Sequence, residues 1–298
     1  MRTTTCRNLA ATSLAVIAAA AIAAAPASAA PLWPGGPDVP GAPAVVQAPQ
    51  PEPGAAPVKN PPPLPQANFA APSISPSDGD VVGVAQPIII NFKDPVTDHE
   101  AAEKAIRITS SNPTHGHFYW RGDKQVRWRP EEFWPANSDI TVEAGGTKVA
   151  YKIGDEVIAT ADDDTHTITV TRNGEVIKTM PTSMGKPKHE TPNGTYYVGE
   201  KNRKMIMDSS TYGVPITDKE GYKLEVEYAT RLSNSGIFVH SAPWSVAQQG
   251  VSNTSHGCLN LSPENAKWFF ENSQKGDPVV VQNSTGTFST SDGMGDWN

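Results

Sequence analysis

The chain has 298 residues, a formal net charge of −7, 28 prolines and two cysteines. The acidic balance argues against a nucleic-acid partner, which wants a basic face, but leaves an anionic cell wall open as a setting. The length suffices for two small domains beyond any leader.

Arg2 and Arg7 flank the start of an almost uncharged, alanine-rich run from Leu9 to Ala25, which Pro26 breaks. Ala27-Ser28-Ala29 fits the small-x-small cleavage pattern, so residues 1–29 read as an export signal. Left uncleaved, the same run sits at the short limit of a membrane span and would act as an anchor; otherwise the membrane is met only during export. The expected location is therefore the periplasm or cell wall. Cys6 leaves with the signal, and Cys258 remains as an unpaired thiol in an oxidising compartment. Such a leftover points to intermolecular pairing or to a reactive group. Residues 30–73 read as a spacer: the stretch 31–76 alone holds 15 of the 28 prolines. That composition cannot bury a core and should be extended and semi-rigid.

Residues 74–152 turn β-like. VVGVAQPIIINF (81–92), KAIRITSS (104–111), HFYWRGDKQVRWRP (117–130) and ITVEA (140–144) are short strand candidates separated by turn signals. RGDK (121–124) supplies a hairpin tip. A small antiparallel sandwich of immunoglobulin-like size is expected, without the cysteine pair of antibody domains.

Residues 153–283 form the second block. HTITVTRNGEVIKTMP (166–181) is strand, Asn-Gly turn, strand. Further strands are predicted at GTYYVG (194–199), KMIMD (204–208), YKLEVEYAT (222–230) and GIFVH (236–240). One main helix follows, with Ser262 as cap, Pro263 at its first position and Gly276 as its stop. The fold class is thus mainly β, two sandwich-like domains with one main helix. Residues 284–298 are polar and Gly-rich, and a flexible tail is expected there.

The chemistry centres on SHGCLN (255–260). A thiol attacks a carbonyl as its thiolate, and a neighbouring imidazolium lowers a thiol pKa by several units. A cysteine nucleophile therefore wants a histidine within reach. His256 lies two residues before Cys258, and His240 ends the strand GIFVH. Spacing alone does not choose between them.

His240, the fourteen residues after it and then Ser255-His256-Gly257-Cys258-Leu259-Asn260 resemble the signature of the L,D-transpeptidases, the YkuD-type catalytic domain. RNGEVIKTMPTSMGKPKHETPNGTYYV (172–198) resembles the hairpin and TP-x-G turn of that family. HSAPWS (240–245), the export signal, the Pro-rich spacer and the immunoglobulin-like domain resemble its mycobacterial branch, over roughly residues 74–283. Many distant members carry Arg where this chain has Asn260, which narrows the branch. The resemblance implies roles residue by residue. Cys258 is the nucleophile, His240 its general base, and the Ser241 carbonyl orients that base. Tyr222, with backbone N–H groups near Gly257 and Cys258, serves the oxyanion and substrate pocket. Met207, Tyr212, Phe238 and Trp244 match pocket and lid positions, and Ser255, His256 and Asn260 shape the donor site. It further implies a substrate, the peptidoglycan tetrapeptide stem, with a diaminopimelate acceptor and a 3→3 cross-link as product. Carbapenem β-lactams are the implied inhibitors, and no cofactor is implied.

Two rivals keep the same residues: an L,D-carboxypeptidase using water, and an enzyme that attaches an envelope protein to the wall. A zinc site of Cys258, His256 and His240 lacks a fourth ligand and any CxxC or HExxH companion, so no metal is expected. His99, His115, His117, His166 and His189 read as surface or satisfied histidines.

Overall fold

The computed structural model describes residues 61–298, and before them a two-residue strand pair, Ala30–Pro31 against Asp38–Val39. The export signal and the rest of the spacer up to residue 60 lie outside the described residues. Among the described residues no helix is long and apolar enough to cross a membrane.

The front domain is a sandwich of two four-stranded sheets. One sheet runs in the order Val81–Val82, Thr147–Ile153, Asp139–Ala144, Ile106–Ser110, and the other Ser73–Ser75, Ile88–Asn91, Gln125–Pro130, Gly116–Trp120. Strict alternation sends Val149, Tyr151 and Ile153 inward, where they meet Ile88, Ile90, Val126, Ile140 and Val142. Gly122, at φ +62°, turns the RGDK hairpin, closed by the Arg121 N–H donating to the Gln125 carbonyl at 2.9 Å. Packing starts earlier than Ile74: Phe69, on the spacer side of that limit, packs tilted against Phe92 with ring centroids 4.8 Å apart. A short helix, His99–Lys104, was not expected; Asp98 caps it by accepting from the Ala101 N–H.

The second domain holds a five-stranded and a four-stranded sheet. The first runs Glu175–Pro181, Thr167–Arg172, Val157–Asp162, Pro278–Gln282, Gly194–Tyr197. The second runs Lys201–Asp208, Lys223–Arg231, Phe238–Ser241, Leu259–Leu261. Asn173 and Gly174, both at positive φ, turn the predicted Asn-Gly hairpin, as a right-handed strand twist requires. The core between the sheets joins Ile168, Val170 and Val281 to Val239, Leu259, Leu261 and Phe269. The helix spans Pro263–Asn272, with the Ser262 Oγ accepting from the Asn265 N–H. It stops at Asn272 rather than running to Gly276: the Ser273 hydroxyl turns back to the Phe269 carbonyl at 2.7 Å and satisfies an orphan acceptor of the last turn. Gly276, at φ +89°, instead shapes the following turn, against which the front domain docks. There the Gly83 N–H donates to the Lys275 carbonyl and the Ala85 N–H to the Gly276 carbonyl.

The expectation of a flexible tail is overturned. Phe288 lies in the catalytic-domain core, stacked on Tyr196 at 4.1 Å. The Trp297 indole donates to the Ala85 carbonyl at 2.8 Å. Asp296, with its side chain fully buried, accepts from Arg127 at 2.7 Å, Tyr119 at 2.6 Å and Tyr197 at 2.7 Å. The tail therefore joins the two domains.

Candidate active site

Two adjacent strands place the candidate nucleophile and base. Phe238–Ser241 and Leu259–Leu261 run parallel, with His240 opposite Asn260 and Val239 opposite Leu259. Cys258 directly precedes the second strand, so it stands level with Phe238. Side chains alternate along a strand, so Cys258 shares a face with Asn260. His240, Cys258 and Asn260 line one cavity of about 190 Å³, together with Met207, Tyr222, Leu224, Trp244, Thr254, Ser255 and His256.

The His240 Nδ1–H donates to the Ser241 carbonyl at 2.9 Å. A carbonyl only accepts, so this bond fixes the tautomer and leaves Nε2 with its lone pair. His256 is engaged elsewhere: its Nε2 lies 2.9 Å from a Glu220 carboxylate oxygen. Of the two histidines, His240 is therefore the one whose Nε2 is left as an acceptor, while His256 Nε2 faces a carboxylate.

Cys258 is 6% exposed, and its thiol donates to the Gly236 carbonyl at 3.6 Å. Burial pushes the thiol up to about 11, against the opposing pull of a backbone hydrogen bond at Phe238. Burial likewise holds the His240 imidazole down to about 4, against the Ser241 carbonyl. At neutral pH the pair rests as thiol and neutral imidazole. Burial disfavours a resting imidazolium that would depress the thiol pKa, one route open in the sequence, because desolvation penalises both charges.

The turn before Cys258 is braced from within. The Ser255 hydroxyl donates to the Cys258 carbonyl at 2.7 Å and accepts from the Gly257 N–H at 3.0 Å. Gly257 sits at φ +108°, where a side chain is strained. Its amide, considered as an oxyanion donor, is already taken by Ser255. Asn260 is 3% exposed and donates to the Ser245 hydroxyl at 3.3 Å, while its Oδ1 is buried without a partner among the described residues.

The remaining expected residues fall into place around the cavity. Met207 lines it, and both Met207 and Phe238 pack against Cys258 in one apolar cluster. Phe238 shares a strand face with His240 and packs in the cluster with the thiol, but it does not line the cavity. Trp244 is 56% exposed at the rim, its ring 6.1 Å from that of His240. Tyr222 closes the base of the loop 209–221 through its backbone, its N–H donating to the Ser209 hydroxyl at 2.9 Å. Tyr212 ends a 3-10 turn in that loop, and its side chain lies outside the described residues.

Sequence reasoning missed Leu224 and Thr254 in the wall, and the group beside it. Glu220, on the loop, meets Lys186 at 2.5 Å and His256, and both hold its carboxyl down to about 2. His189, read as a surface histidine, lies 4.0 Å from the same oxygen. These residues are far apart in sequence, and no local pattern announces them.

Residues 156–281 match the L,D-transpeptidase catalytic domain and residues 64–150 the bacterial Ig domain. The chain is 51% identical over 247 residues to L,D-transpeptidase 2 of Mycobacterium tuberculosis, covering 78% of this chain and 60% of that protein. It is 47% identical over 209 residues to L,D-transpeptidase 1 of the same organism, covering 70% and 83%. The solved structure of LdtMt1 in complex with imipenem aligns with a TM-score of 0.69 at 46% identity, over 72% of this chain and 99% of that one. With the Cys258–His240 cavity where such a domain would carry its chemistry, and with matches of this extent, the chain belongs to the L,D-transpeptidase family.

Proposed function

We propose that the protein is an exported peptidoglycan L,D-transpeptidase that forms 3→3 cross-links through a cysteine acyl-enzyme. The observation that carries the reading is that a neutral Cys258 thiol and a neutral, oriented His240 line one cavity. As Sγ attacks the carbonyl of the third stem residue, His240 Nε2 takes the thiol proton, so charge develops only in the transition state. The donors assigned to the tetrahedral oxyanion are the Cys258 amide and the Tyr222 phenol, both from residues that line the same cavity. The C–N bond to D-Ala then breaks, and the imidazolium returns its proton to the leaving amine. The side-chain amine of a second stem's diaminopimelate attacks the thioester. His240 removes a proton from that amine, the new amide forms and the thiol is restored. Asn260 lines the same cavity, and its Oδ1, buried without a partner among the described residues, is the acceptor assigned to a donor-stem N–H. A carbapenem enters the same pocket and acylates Cys258, in keeping with the imipenem complex of LdtMt1.

Intact-mass spectrometry of the chain from residue 30, with a disaccharide-tetrapeptide and beside Cys258→Ala, tests this. The expected result is a cross-linked dimer with released D-Ala, absent in the variant. A tripeptide without dimer would make water the acceptor and the protein a carboxypeptidase. No product from the unmodified chain would refute acyl transfer.

A further inference from the structure

Beside the thiol cavity, three chain segments bring two imidazoles and a carboxylate together. His189 comes from the turn after the strand Glu175–Pro181, Glu220 from the loop 209–221, and His256 from the turn before Cys258. One ligand atom from each lies within 4.8 Å of the other two. His256 Nε2 is 2.9 Å and His189 Nε2 4.0 Å from Glu220 Oε2, and the imidazole rings lie 4.7 Å apart. Ligands held 2.0–2.2 Å from a tetrahedral zinc ion stand about 3.4 Å from one another. The observed separations straddle that value, so rotations about the side-chain torsions complete the set.

The backbones that present these groups are fixed. In the first turn, the His189 N–H donates to the Lys186 carbonyl at 2.9 Å, the Thr191 hydroxyl to the Gly257 carbonyl at 2.9 Å, and the Gly185 N–H to Thr191 Oγ1 at 3.0 Å. This ties the His189 turn directly to the His256 turn. A side chain at Gly185 would strike the His189 carbonyl, its Cβ only 2.1 Å away, which shows how closely the turn is folded. On the loop, the Glu220 N–H donates to Asp218 Oδ1 at 2.9 Å. All three groups are partly exposed, so an ion has an entry path and room for water as a fourth ligand.

We propose that His189, Glu220 and His256 form a binding site for a zinc-class divalent cation, with water completing the shell. Two imidazoles and one carboxylate suit zinc rather than magnesium, which prefers oxygen ligands. The site uses neither Cys258 nor His240, though His256 also lines their cavity, and it does not depend on the acyl-transfer reading. The Lys186 ammonium, 2.5 Å from Glu220 Oε2, already offers that carboxylate a positive charge. Zinc binding must displace it, so Lys186 is the built-in competitor. A bound ion ties the loop 209–221 to the turn that carries the nucleophile.

The test is zinc titration against a chromophoric chelator, using the chain carrying Cys258→Ser so that thiol ligation is removed. One equivalent should bind, and magnesium should not compete. His189→Ala and Glu220→Ala should each weaken binding at least about tenfold, since even supporting groups contribute that much to metal affinity. Lys186→Ala should tighten it several-fold, a gain that a misfolded variant would not give. Loss of binding with Cys258→Ser alone would assign the metal to the thiol and overturn the proposal. So would affinity unmoved by His189→Ala and Glu220→Ala, or lowered by Lys186→Ala.

Discussion

At the scale of single residues, the site is governed by desolvation. His240 titrates near 4 and Cys258 near 11, so the productive neutral pair spans the range between them. Turnover should therefore rise through an acid limb near pH 4 and stay flat through neutrality. An acid limb near pH 6.5 would mean a solvated histidine and would refute the buried base. The same burial is linked to stability. The unfolded histidine takes a proton below about pH 6.5 that the folded one refuses down to about 4. Stability from this group is present above pH 6.5 and is lost as pH falls toward 4, about 3 kcal/mol in all. Circular dichroism recorded beside the rate separates the two effects. Asn260 gives a second test. Its Oδ1, buried without a partner among the described residues, carries a desolvation cost that a hydrogen bond from a donor-stem N–H would relieve. Asn260→Ala should raise KM for the tetrapeptide donor about tenfold while changing the melting temperature little. An unchanged KM would leave that oxygen without a role in donor binding.

At the scale of elements, the helix Pro263–Asn272 seats Phe269 beneath the strands that carry His240 and Asn260. Ser262→Ala removes its N-cap acceptor and should lower stability by about 1 kcal/mol, read as a shifted denaturation midpoint; no shift would mean that packing alone fixes the helix start. This helix start was legible in the sequence because Ser-Pro is a local signal, as was the Asn-Gly hairpin, whose residues tolerate positive φ. Cys258 and His240 were legible through a motif, and the parallel register then showed why those two positions share a face. The helix end was not, because a serine side chain, and not Gly276, satisfies the last turn. Nor were Lys186, Glu220 and His189: their meeting depends on how the loop 209–221 folds back, which no period of 2 or 3.6 encodes.

At the scale of the whole molecule, the same limit appears in the tail. Its polar composition suggests solvent, yet Asp296 finds Arg127 from 169 residues away and is buried with it. The carboxylate accepts from the Arg127 guanidinium and two phenols, Tyr119 from the front domain and Tyr197 from the catalytic domain, with the Arg121 guanidinium 3.7 Å away. A buried pair of this kind gives little net stability over an apolar substitute, but removing one partner strands the other charge and costs about 3–5 kcal/mol. Asp296→Asn should therefore destabilise the protein by that amount and free the front domain from the catalytic one. Two calorimetric transitions should replace one. The double variant Arg127→Met with Asp296→Leu removes this charge pair together and should recover part of the loss, since partners in one network do not add, the remainder going to the Tyr119 and Tyr197 phenols left without their acceptor. A loss under about 1 kcal/mol for Asp296→Asn would mean that the Gly83–Lys275 and Ala85–Gly276 backbone contacts, not the tail, hold the domains. Equal damage from the single and double variants would point to packing of the tail, through Phe288 and Trp297, as the true tie.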